Sequence, residues 1–350
     1  MDTVIKEDIA RLVDKNCGWH KLKNKNILIS GANGYLSSYI VYALMEANDK
    51  YNLNMTIYTL CRNREKALGK FENYVNRSCF ELLIQNVQDE FAGEYQFEYI
   101  IHAASPANPF VFRDNPYSVI EANVMGMHNL LKNCFQWKTE KILLFSSYVV
   151  YGDMLPADGA REDFRGSLDF TDSRYAYHLS KQMMEMMGMC FKEKNGIKVS
   201  VVRPSIIYGP GMGYSQKKHI TDFVKNYILD EDIELKSDGS AVRSFLYILD
   251  ATDAFLKILL QDEDGIFNVS SEKSVCSVRE LAELFTTFDK KLKVSINIPT
   301  ENASYLNTTN DIGVVSNEKL RKMGWEESVS LREGVQRTIR WAEANDFINM

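Results

Sequence analysis

The chain has 350 residues, of which 45% are hydrophobic and 25% charged, with 19 glycines and only 7 prolines. These proportions exclude collagen-like, low-complexity and wholly disordered proteins, and the length suits one large domain or two closely packed ones. The 41 basic and 47 acidic residues give a formal net charge of −6, and no long basic stripe is present to neutralise a nucleic-acid backbone. We therefore expect no nucleic-acid partner.

The first 15 residues are rich in acidic groups and lack the apolar core of a signal peptide, and no later stretch is apolar enough to cross a bilayer. The six cysteines are scattered, with no C-x-x-C pair and no histidine at the spacing of metal ligands. These observations predict a cytoplasmic protein with reduced thiols and with no membrane partner, structural disulfide or bound metal. Residues 1–25 read as a helical extension that Trp19 anchors by packing.

From residue 26 onward, short apolar runs alternate with segments of helical period, which is typical of a parallel sheet covered by helices. The predicted strands are Asn26–Ser30, Met55–Leu60, Tyr99–His102, Lys141–Phe145 and Val199–Arg203. Periodicity alone fits both a doubly wound sheet and a closed barrel, but a glycine-rich turn directly after the first run favours the former. The predicted fold class is α/β: a Rossmann-type doubly wound parallel sheet with a smaller C-terminal substrate-binding lobe.

The alternation breaks up near residue 205, where a glycine-containing loop precedes a predicted helix over His219–Leu229. We predict a dinucleotide-binding domain over residues 26–204, which about 242–262 rejoin. The substrate lobe is expected to comprise residues 205–241 and 263–350.

The first predicted strand runs directly into a turn with glycine at 31 and 34, and a helical segment follows. Gly31 permits a tight turn, and Gly34 lets backbone N–H groups approach a pyrophosphate, which the positive end of the helix further stabilises. The order strand, glycine turn, helix predicts a dinucleotide site, although two glycines alone also fit a plain strand-to-helix turn. The cofactor-binding residues predicted in this segment are Gly31, Asn33, Gly34, Tyr35 and Leu36.

The end of the second strand indicates which dinucleotide binds. A carboxylate there holds the ribose 2′-hydroxyl of NAD, whereas an arginine pairs with the 2′-phosphate of NADP. This chain has Arg62 and Arg64 at that place and no acid between residues 58 and 64. The pattern favours NADP(H) bound through Arg62, with NAD(H) as the alternative if both arginines are merely solvated residues at the start of a helix.

The candidate catalytic residues lie on two later elements. Ser147 follows the strand Lys141–Phe145, at the carboxyl edge of the sheet where open α/β folds bind their ligands. Tyr177 and Lys181 are four residues apart, so a helix presents both on one face and the ammonium can favour ionisation of the phenol. A phenol with a lowered pKa is a usable acid or base near neutral pH.

Taken together, these motifs make the chain resemble the extended short-chain dehydrogenases/reductases, in the group of NAD(P)-dependent nucleotide-sugar epimerases, dehydratases and ketoreductases. The resemblance covers nearly all of the chain after residue 26. Besides the glycine turn and Tyr177-x-x-x-Lys181, the motifs that carry it lie at 102–105, 123–126, 147–152, 203–210 and 243–250.

The resemblance implies a role for each motif. Tyr177 would exchange a proton with a sugar hydroxyl or ketone, Lys181 would hold the nicotinamide ribose, and Ser147 would hydrogen-bond the reacting oxygen. Further expected cofactor contacts are Asn86, Val87, Ala103, Ala104 and Ser105, and the expected substrate contacts are Ser147, Tyr148 and Arg243. The helix that carries Tyr177 and Lys181 is rich in methionine, and in relatives this helix helps to form a dimer interface. The resemblance therefore implies a homodimer.

Departures from the family pattern reduce the number of reactions that the sequence allows. Relatives that act as dehydratases or decarboxylases carry an acid two positions after the catalytic Ser or Thr, where this chain has Val149, so these reactions are disfavoured unless Asp153 or Glu162 takes that part. Ser37 replaces the usual third glycine.

Two enzymatic functions and one non-enzymatic function remain as interpretations of the sequence. Arg62 favours a ketoreductase that acts on a nucleotide-linked 4-keto sugar, for example a dTDP-4-dehydro-6-deoxyhexose in surface-polysaccharide biosynthesis. A nucleotide-sugar 4-epimerase with tightly bound NAD is the alternative. The non-enzymatic alternative is a relative that binds a dinucleotide but catalyses no reaction. The evidence against it is the intact set of Ser147, Tyr177 and Lys181.

Overall fold

The computed structural model describes residues 1–15, 18–106, 114–153, 155–298 and 312–350. Within these ranges the strands are β1 (Asn26–Ser30), β2 (Thr56–Cys61), β3 (Phe80–Ile84), β4 (Tyr99–His102), β5 (Lys141–Phe145), β6 (Lys198–Pro204), β7 (Ile206–Tyr208), β8 (Ile233–Leu235), β9 (Val242–Tyr247), β10 (Gly265–Val269), β11 (Val275–Ser277), β12 (Val294–Ile296) and β13 (Ile312–Gly313).

The α-helices of the same ranges are α1 (Thr3–Asp14), α2 (Tyr35–Tyr51), α3 (Arg64–Lys70), α4 (Pro116–Ile120), α5 (Gly126–Asn133), α6 (Ala176–Asn195), α7 (His219–Leu229), α8 (Ile248–Leu260), α9 (Val278–Phe285), α10 (Glu318–Lys322) and α11 (Leu331–Ala344). A π-helical turn, Glu121–Met125, joins α4 to α5. Short 3₁₀ turns occur at Trp19–Leu22, Tyr148–Tyr151, Ser173–Tyr175, Tyr214–Gln216 and Phe347–Asn349.

Seven parallel strands form the central sheet, in the order β10-β6-β5-β4-β1-β2-β3. Every residue of β4 and β5 is buried, as expected for strands that helices cover on both faces. The sheet is open, with edges at β10 and β3, so the predicted doubly wound α/β fold is confirmed and a closed barrel is excluded. The strand order reverses between β1 and β4, which is where ligands of such sheets bind.

Two strands of the central sheet were not predicted from the sequence. β3 contains Glu81 in an otherwise apolar run, and β10 contains the buried Asn268, so neither run stands out by hydrophobicity. β10 pairs with β6. We predicted that residues 263–350 lie wholly in the substrate lobe, and for β10 this is wrong. The strand belongs to the large sheet because it pairs with a distant strand, which the local sequence pattern does not reveal.

Smaller sheets lie outside the central one. β9 pairs with β7, β11 and β13, and β8 pairs with β12. The helix that follows β9, α8, packs against β5 and β6 of the central sheet. Residues 242–262 thus contribute to both layers, and the remaining division into two lobes stays a prediction.

The predicted N-terminal extension forms α1, which packs against α2, α8 and α11. Trp19 is buried, and its indole N–H donates to the Val13 carbonyl at 3.2 Å. Asp8 of α1 is fully buried, and its carboxylate accepts hydrogen bonds from the Tyr247 hydroxyl at 2.7 Å and from Arg337 Nη2 at 2.6 Å. The extension is therefore part of the hydrophobic core of the protein.

Candidate active site and dinucleotide site

The glycine turn between β1 and α2 depends on two residues that have no side chain. Gly31 has a φ of +66°, and a Cβ at this position would lie 2.7 Å from the Cα of Ala104. Gly34 is the N-cap of α2, and it provides no side chain to bond the first backbone N–H groups of the helix. The turn therefore leaves both the space and the amide donors that a pyrophosphate needs, so these residues fit a dinucleotide.

Tyr35, Asn33 and Ser37 lie around this turn. Tyr35 is half-buried, and its buried hydroxyl has no hydrogen-bond partner among the residues that the structure describes. Its ring lies near Gly211. The backbone N–H of Asn33 bonds to the Cys61 sulfur at the end of β2. Ser37 donates its hydroxyl to the Gly31 carbonyl at 2.6 Å, so serine fits in the place of the third glycine.

Ala103, Ala104 and Ser105 follow β4 directly, beside the glycine turn. The Ala104 N–H donates to Ser30 Oγ at 3.2 Å, and Ser30 Oγ lies 2.8 Å from His102 Nδ1. These bonds hold the ends of β1 and β4 together at the switch point. Ala103 to Ser105 thus border the same edge as Gly31.

The residues predicted to contact the adenosine half lie beyond the ends of β2 and β3. Arg62 and Arg64 are exposed, and neither forms an ion pair with any residue that the structure describes. Asn86 is exposed, and its amide donates to Asp89 at 3.0 Å. Val87 is buried against Gly126, so its side chain serves packing.

Ser147, Tyr177 and Lys181 converge at the end of β5. The side chains of Ser147 and Tyr177 are hydrogen-bonded. Lys181 Nζ donates to the Phe145 carbonyl at 2.6 Å and lies 5.8 Å from the centroid of the Tyr177 ring. A hydroxyl, a phenol and an ammonium from separate segments therefore meet in one place.

The ionisation of this group differs from the prediction. Burial raises the pKa of Tyr177 to about 12, although the hydrogen bond with Ser147 opposes the shift. Burial also lowers the pKa of Lys181 to about 7, against the charge of Glu185. The pKa of the phenol is thus raised and not lowered as expected, because desolvation is the largest effect on it, and desolvation also disfavours the charged form of Lys181.

Sequence reasoning missed Glu185, which lies one helical turn beyond Lys181 and is buried. It accepts hydrogen bonds from the Ser146 hydroxyl and from Arg203 Nε. The four-residue spacing from Lys181 was a signal that could have identified it, since it extends the face of α6 that carries Tyr177.

Arg243 lies on β9, in the second sheet, and is one of the predicted substrate contacts. Its side chain crosses Gly313, where a Cβ would lie 2.9 Å from Arg243 Cδ. Burial raises the pKa of Tyr148, and the Arg243 charge opposes that shift, so these two predicted substrate contacts lie close enough for the guanidinium to act on the phenol. Two basic residues at the α7 N-terminus were not singled out from the sequence. Burial lowers the pKa of His219, and the Arg243 charge adds to that shift. Burial also lowers the pKa of Lys218 to about 8.

The two carboxylates considered as substitutes for an acid at position 149 are engaged elsewhere. Asp153 accepts a hydrogen bond from the Tyr175 hydroxyl. Glu162 accepts from the backbone N–H of Asn268 at 2.9 Å. Neither is held beside Ser147 by these contacts.

The thiols, the potential metal ligands and the apolar helices can be compared with the predictions in the described residues. Cys61, Cys79, Cys134, Cys190 and Cys276 are free thiols, and Cys17 lies outside the described residues. In the described ranges, no group of three or more His, Cys, Asp or Glu side chains could hold a metal ion. None of the helices there is long and apolar enough to span a membrane.

Comparison with known proteins agrees with this arrangement. The model of the NAD dependent epimerase/dehydratase family matches residues 27–270. UDP-glucuronic acid decarboxylase 5 of Arabidopsis thaliana is 28% identical over 315 residues, which cover 89% of this chain and 87% of that protein.

Two solved structures share the fold at lower identity. UDP-glucose 4-epimerase of Thermotoga maritima superposes with a TM-score of 0.77 at 22% identity, covering 91% of this chain and 99% of that one. dTDP-glucose 4,6-dehydratase of Bacillus anthracis gives a TM-score of 0.74 at 18% identity, covering 93% and 99%. At this level of identity, the likeness concerns the fold alone.

Proposed function

The chain belongs to the NAD-dependent epimerase/dehydratase family, and from this premise we propose that it reduces the 4-keto group of a nucleotide-activated sugar, with NADPH as the reductant. The observation that carries this proposal is Arg62, which is exposed beyond the end of β2 in a segment that has no carboxylate between residues 58 and 64. Such a site suits NADPH, which a reductase consumes and releases in each turnover, whereas an epimerase keeps one NAD and returns the hydride to the same sugar. The Tyr177 phenol, which is hydrogen-bonded with Ser147, can give its proton to the keto oxygen.

Each residue of the site has a part in this reaction. Tyr177 donates its proton to the keto oxygen, and the Ser147 hydroxyl donates a hydrogen bond to the same oxygen as negative charge develops. Lys181 binds the nicotinamide ribose and holds its ammonium near the phenol. The dinucleotide, when bound, supplies the hydride.

The choice of NADP(H) is supported by the chemistry at the end of β2. Arg62 is exposed there, and the segment from 58 to 64 contains no carboxylate to bind a ribose 2′-hydroxyl. A guanidinium can bind a 2′-phosphate by two parallel hydrogen bonds. The glycine turn would hold the pyrophosphate, and Ala103 to Ser105 would border the ribose and phosphates.

On the substrate side, we propose that Arg243 binds a phosphate of the sugar nucleotide and that Tyr148 contacts the sugar. The side chain of Val149, next to them, can neither give nor accept a proton. This observation argues against elimination and decarboxylation by an acid at this position, although the curated relative described above is named a decarboxylase.

We also propose that the protein is a homodimer through α4 and α6. These helices pack against each other and expose large apolar side chains: Tyr117 is 67% exposed, Met186 61% and Met183 51%. Such a contiguous apolar face on neighbouring helices is suited to bury against a second copy of itself.

The deciding experiment combines an assay with the identity of the bound nucleotide. Purified protein is incubated with NADPH and a dTDP-linked 4-keto-6-deoxyhexose, and the absorbance of NADPH is followed. Consumption of NADPH with formation of the 4-hydroxy sugar supports the proposal. Stoichiometric NAD released from denatured protein, together with interconversion of C4 epimers and no consumption of NADPH, would establish the epimerase instead.

A further inference from the structure

The face of α6 that carries Tyr177 continues for another turn and holds the end of β5. Lys181 Nζ donates to the Phe145 carbonyl, and the Ser146 hydroxyl donates to Glu185 one turn later. The next residue along the chain is Ser147. The helix therefore holds both residues that precede the proposed catalytic hydroxyl, and Glu185 provides one of these two contacts.

Glu185 is itself held by a buried ion pair. Arg203 Nε lies 3.0 Å from Glu185 Oε1, and Arg203 Nη2 lies 2.6 Å from Oε2, with 9% and 7% of the two side chains exposed. Arg203 Nη1 also donates to the Tyr151 hydroxyl at 2.8 Å. Tyr151 ends the turn that begins one residue after Ser147, so the ion pair joins β6 and this turn to α6.

We propose that Glu185 is a positioning residue, which acts through Ser146, Arg203 and Lys181 to keep the Ser147 hydroxyl and the Lys181 ammonium in their reactive arrangement. The inference rests on the proposed function and adds a residue that touches neither substrate nor cofactor. Removing two charges from water is costly, and their attraction offsets that cost only where the geometry is good and further hydrogen bonds satisfy both groups. Here the pair is bidentate and the carboxylate also receives the Ser146 hydroxyl, so its orientation is fixed on three sides.

Electrostatics give Glu185 a second effect on the site. Its charge raises the pKa of Lys181, whereas burial lowers it to about 7. The other groups that face Lys181 do not supply a negative charge at neutral pH: the pKa of His102 is lowered to about 3, and Tyr177 is protonated. Glu185 thus favours the charged form of Lys181 near neutral pH.

The test compares Glu185→Gln with a matched control, Asp8→Asn. Asp8 is also a fully buried carboxylate, which accepts the Tyr247 hydroxyl on Oδ2 and two N–H groups of Arg337 on Oδ1, but it lies on α1. Both substitutions remove one buried charge and should lower the melting temperature. Ser146→Ala is a milder second variant, which removes one hydroxyl and keeps the ion pair.

Two readouts separate a positioning role from a structural one. The first is the ¹³Cε resonance of Lys181 in lysine-labelled protein, assigned by its loss in Lys181→Met and followed against pH. We expect its midpoint to fall by about one pH unit or more in Glu185→Gln, because a neighbouring opposite charge is lost. The second is steady-state kinetics, where we expect kcat to fall roughly ten- to hundred-fold in Glu185→Gln and to fall also in Ser146→Ala, with a smaller change in the KM for NADPH.

In Asp8→Asn, the lysine midpoint should stay at its wild-type value and kcat should be retained. An unchanged lysine midpoint in Glu185→Gln, or a folded Glu185→Gln and Ser146→Ala that both keep the wild-type kcat, would overturn the inference. If the wild-type protein reduces no 4-keto sugar nucleotide, the proposed function fails, and the lysine titration then decides the role of Glu185 by itself.

Discussion

Tyr177 is the residue that we expect to donate the proton to the keto oxygen. Its phenol is four residues from a lysine, yet its pKa is raised and not lowered, because both groups are removed from water. Substituting Tyr177→Phe removes the proton and leaves the ring. We expect turnover to be lost while NADPH still binds, as measured by fluorescence titration beside the assay. Retained turnover would show that the proton comes from another group.

We propose that Arg62 selects the cofactor by the charge it presents beyond β2. Substituting Arg62→Asp replaces a partner for the 2′-phosphate by one for the ribose 2′-hydroxyl. We expect the preference for NADPH over NADH to reverse, as seen in the ratio of kcat/KM for the two cofactors. Lys6→Asp makes the same change of charge at an exposed site on α1 and should leave the ratio unaltered. An unchanged ratio in the Arg62 variant would refute the assignment.

His102 is a buried histidine whose neutral form the fold requires. Burial lowers its pKa from 6.5 to about 3, and the nearby charge of Lys181 adds to the shift. The unfolded chain therefore binds a proton below pH 6.5 that the folded protein does not accept until about pH 3. The free energy of unfolding should accordingly fall as the pH is lowered through this window, by about 1.4 kcal/mol per pH unit from this group.

The measurement is urea denaturation at pH 4.5, 5.5 and 6.5 of wild type, His102→Gln and His128→Gln, the last at an exposed histidine. The pH dependence should be weaker in His102→Gln and unchanged in His128→Gln. Equal slopes in all three proteins would mean that His102 does not couple the fold to protons.

At the scale of the element, the glycine turn between β1 and α2 depends on backbone that only glycine provides. Gly31→Ala places a methyl group 2.7 Å from the Ala104 backbone at a positive φ. We expect a loss of about 1–2 kcal/mol from the conformation alone and at least a roughly tenfold weaker affinity for the dinucleotide. Melting temperature and NADPH titration check the two effects.

The control is Gly69→Ala in α3, where a Cβ would meet no atom within 4 Å. This change should stabilise the helix by about 0.5–1 kcal/mol and leave cofactor binding alone. If Gly31→Ala bound NADPH as the control does, the turn would not be the pyrophosphate site.

At the scale of the whole molecule, the proposed dimer follows from the apolar face of α4 and α6. The double substitution Met183→Glu and Met186→Glu adds charge to this face without touching the buried side of α6. We expect sedimentation to report the mass of one 40.2 kDa chain in the variant and of two chains in wild type. Leu68→Glu, at a half-exposed site on α3, should leave the assembly intact. A monomeric wild type would contradict the proposal.

Features that depend on neighbouring residues were predictable from the amino-acid sequence. Alternating apolar runs predicted five strands of the central sheet, and the glycine turn after the first run favoured its doubly wound class. The predicted helix His219–Leu229 has the same limits in the structure. The spacing of Tyr177 and Lys181, the glycine turn and Ser147 marked the site, because hydrophobic period, glycine conformation and helical spacing are local properties.

Features that depend on distant partners became visible only in the folded protein. There β10 lies beside β6, the Arg243 charge acts on Tyr148, and Glu185 pairs with Arg203. Folding also reversed the expected shift in the pKa of Tyr177. A pKa and an ion pair are set by how far water is excluded and by which charges the fold brings near, and neither can be read from the spacing of residues along the chain.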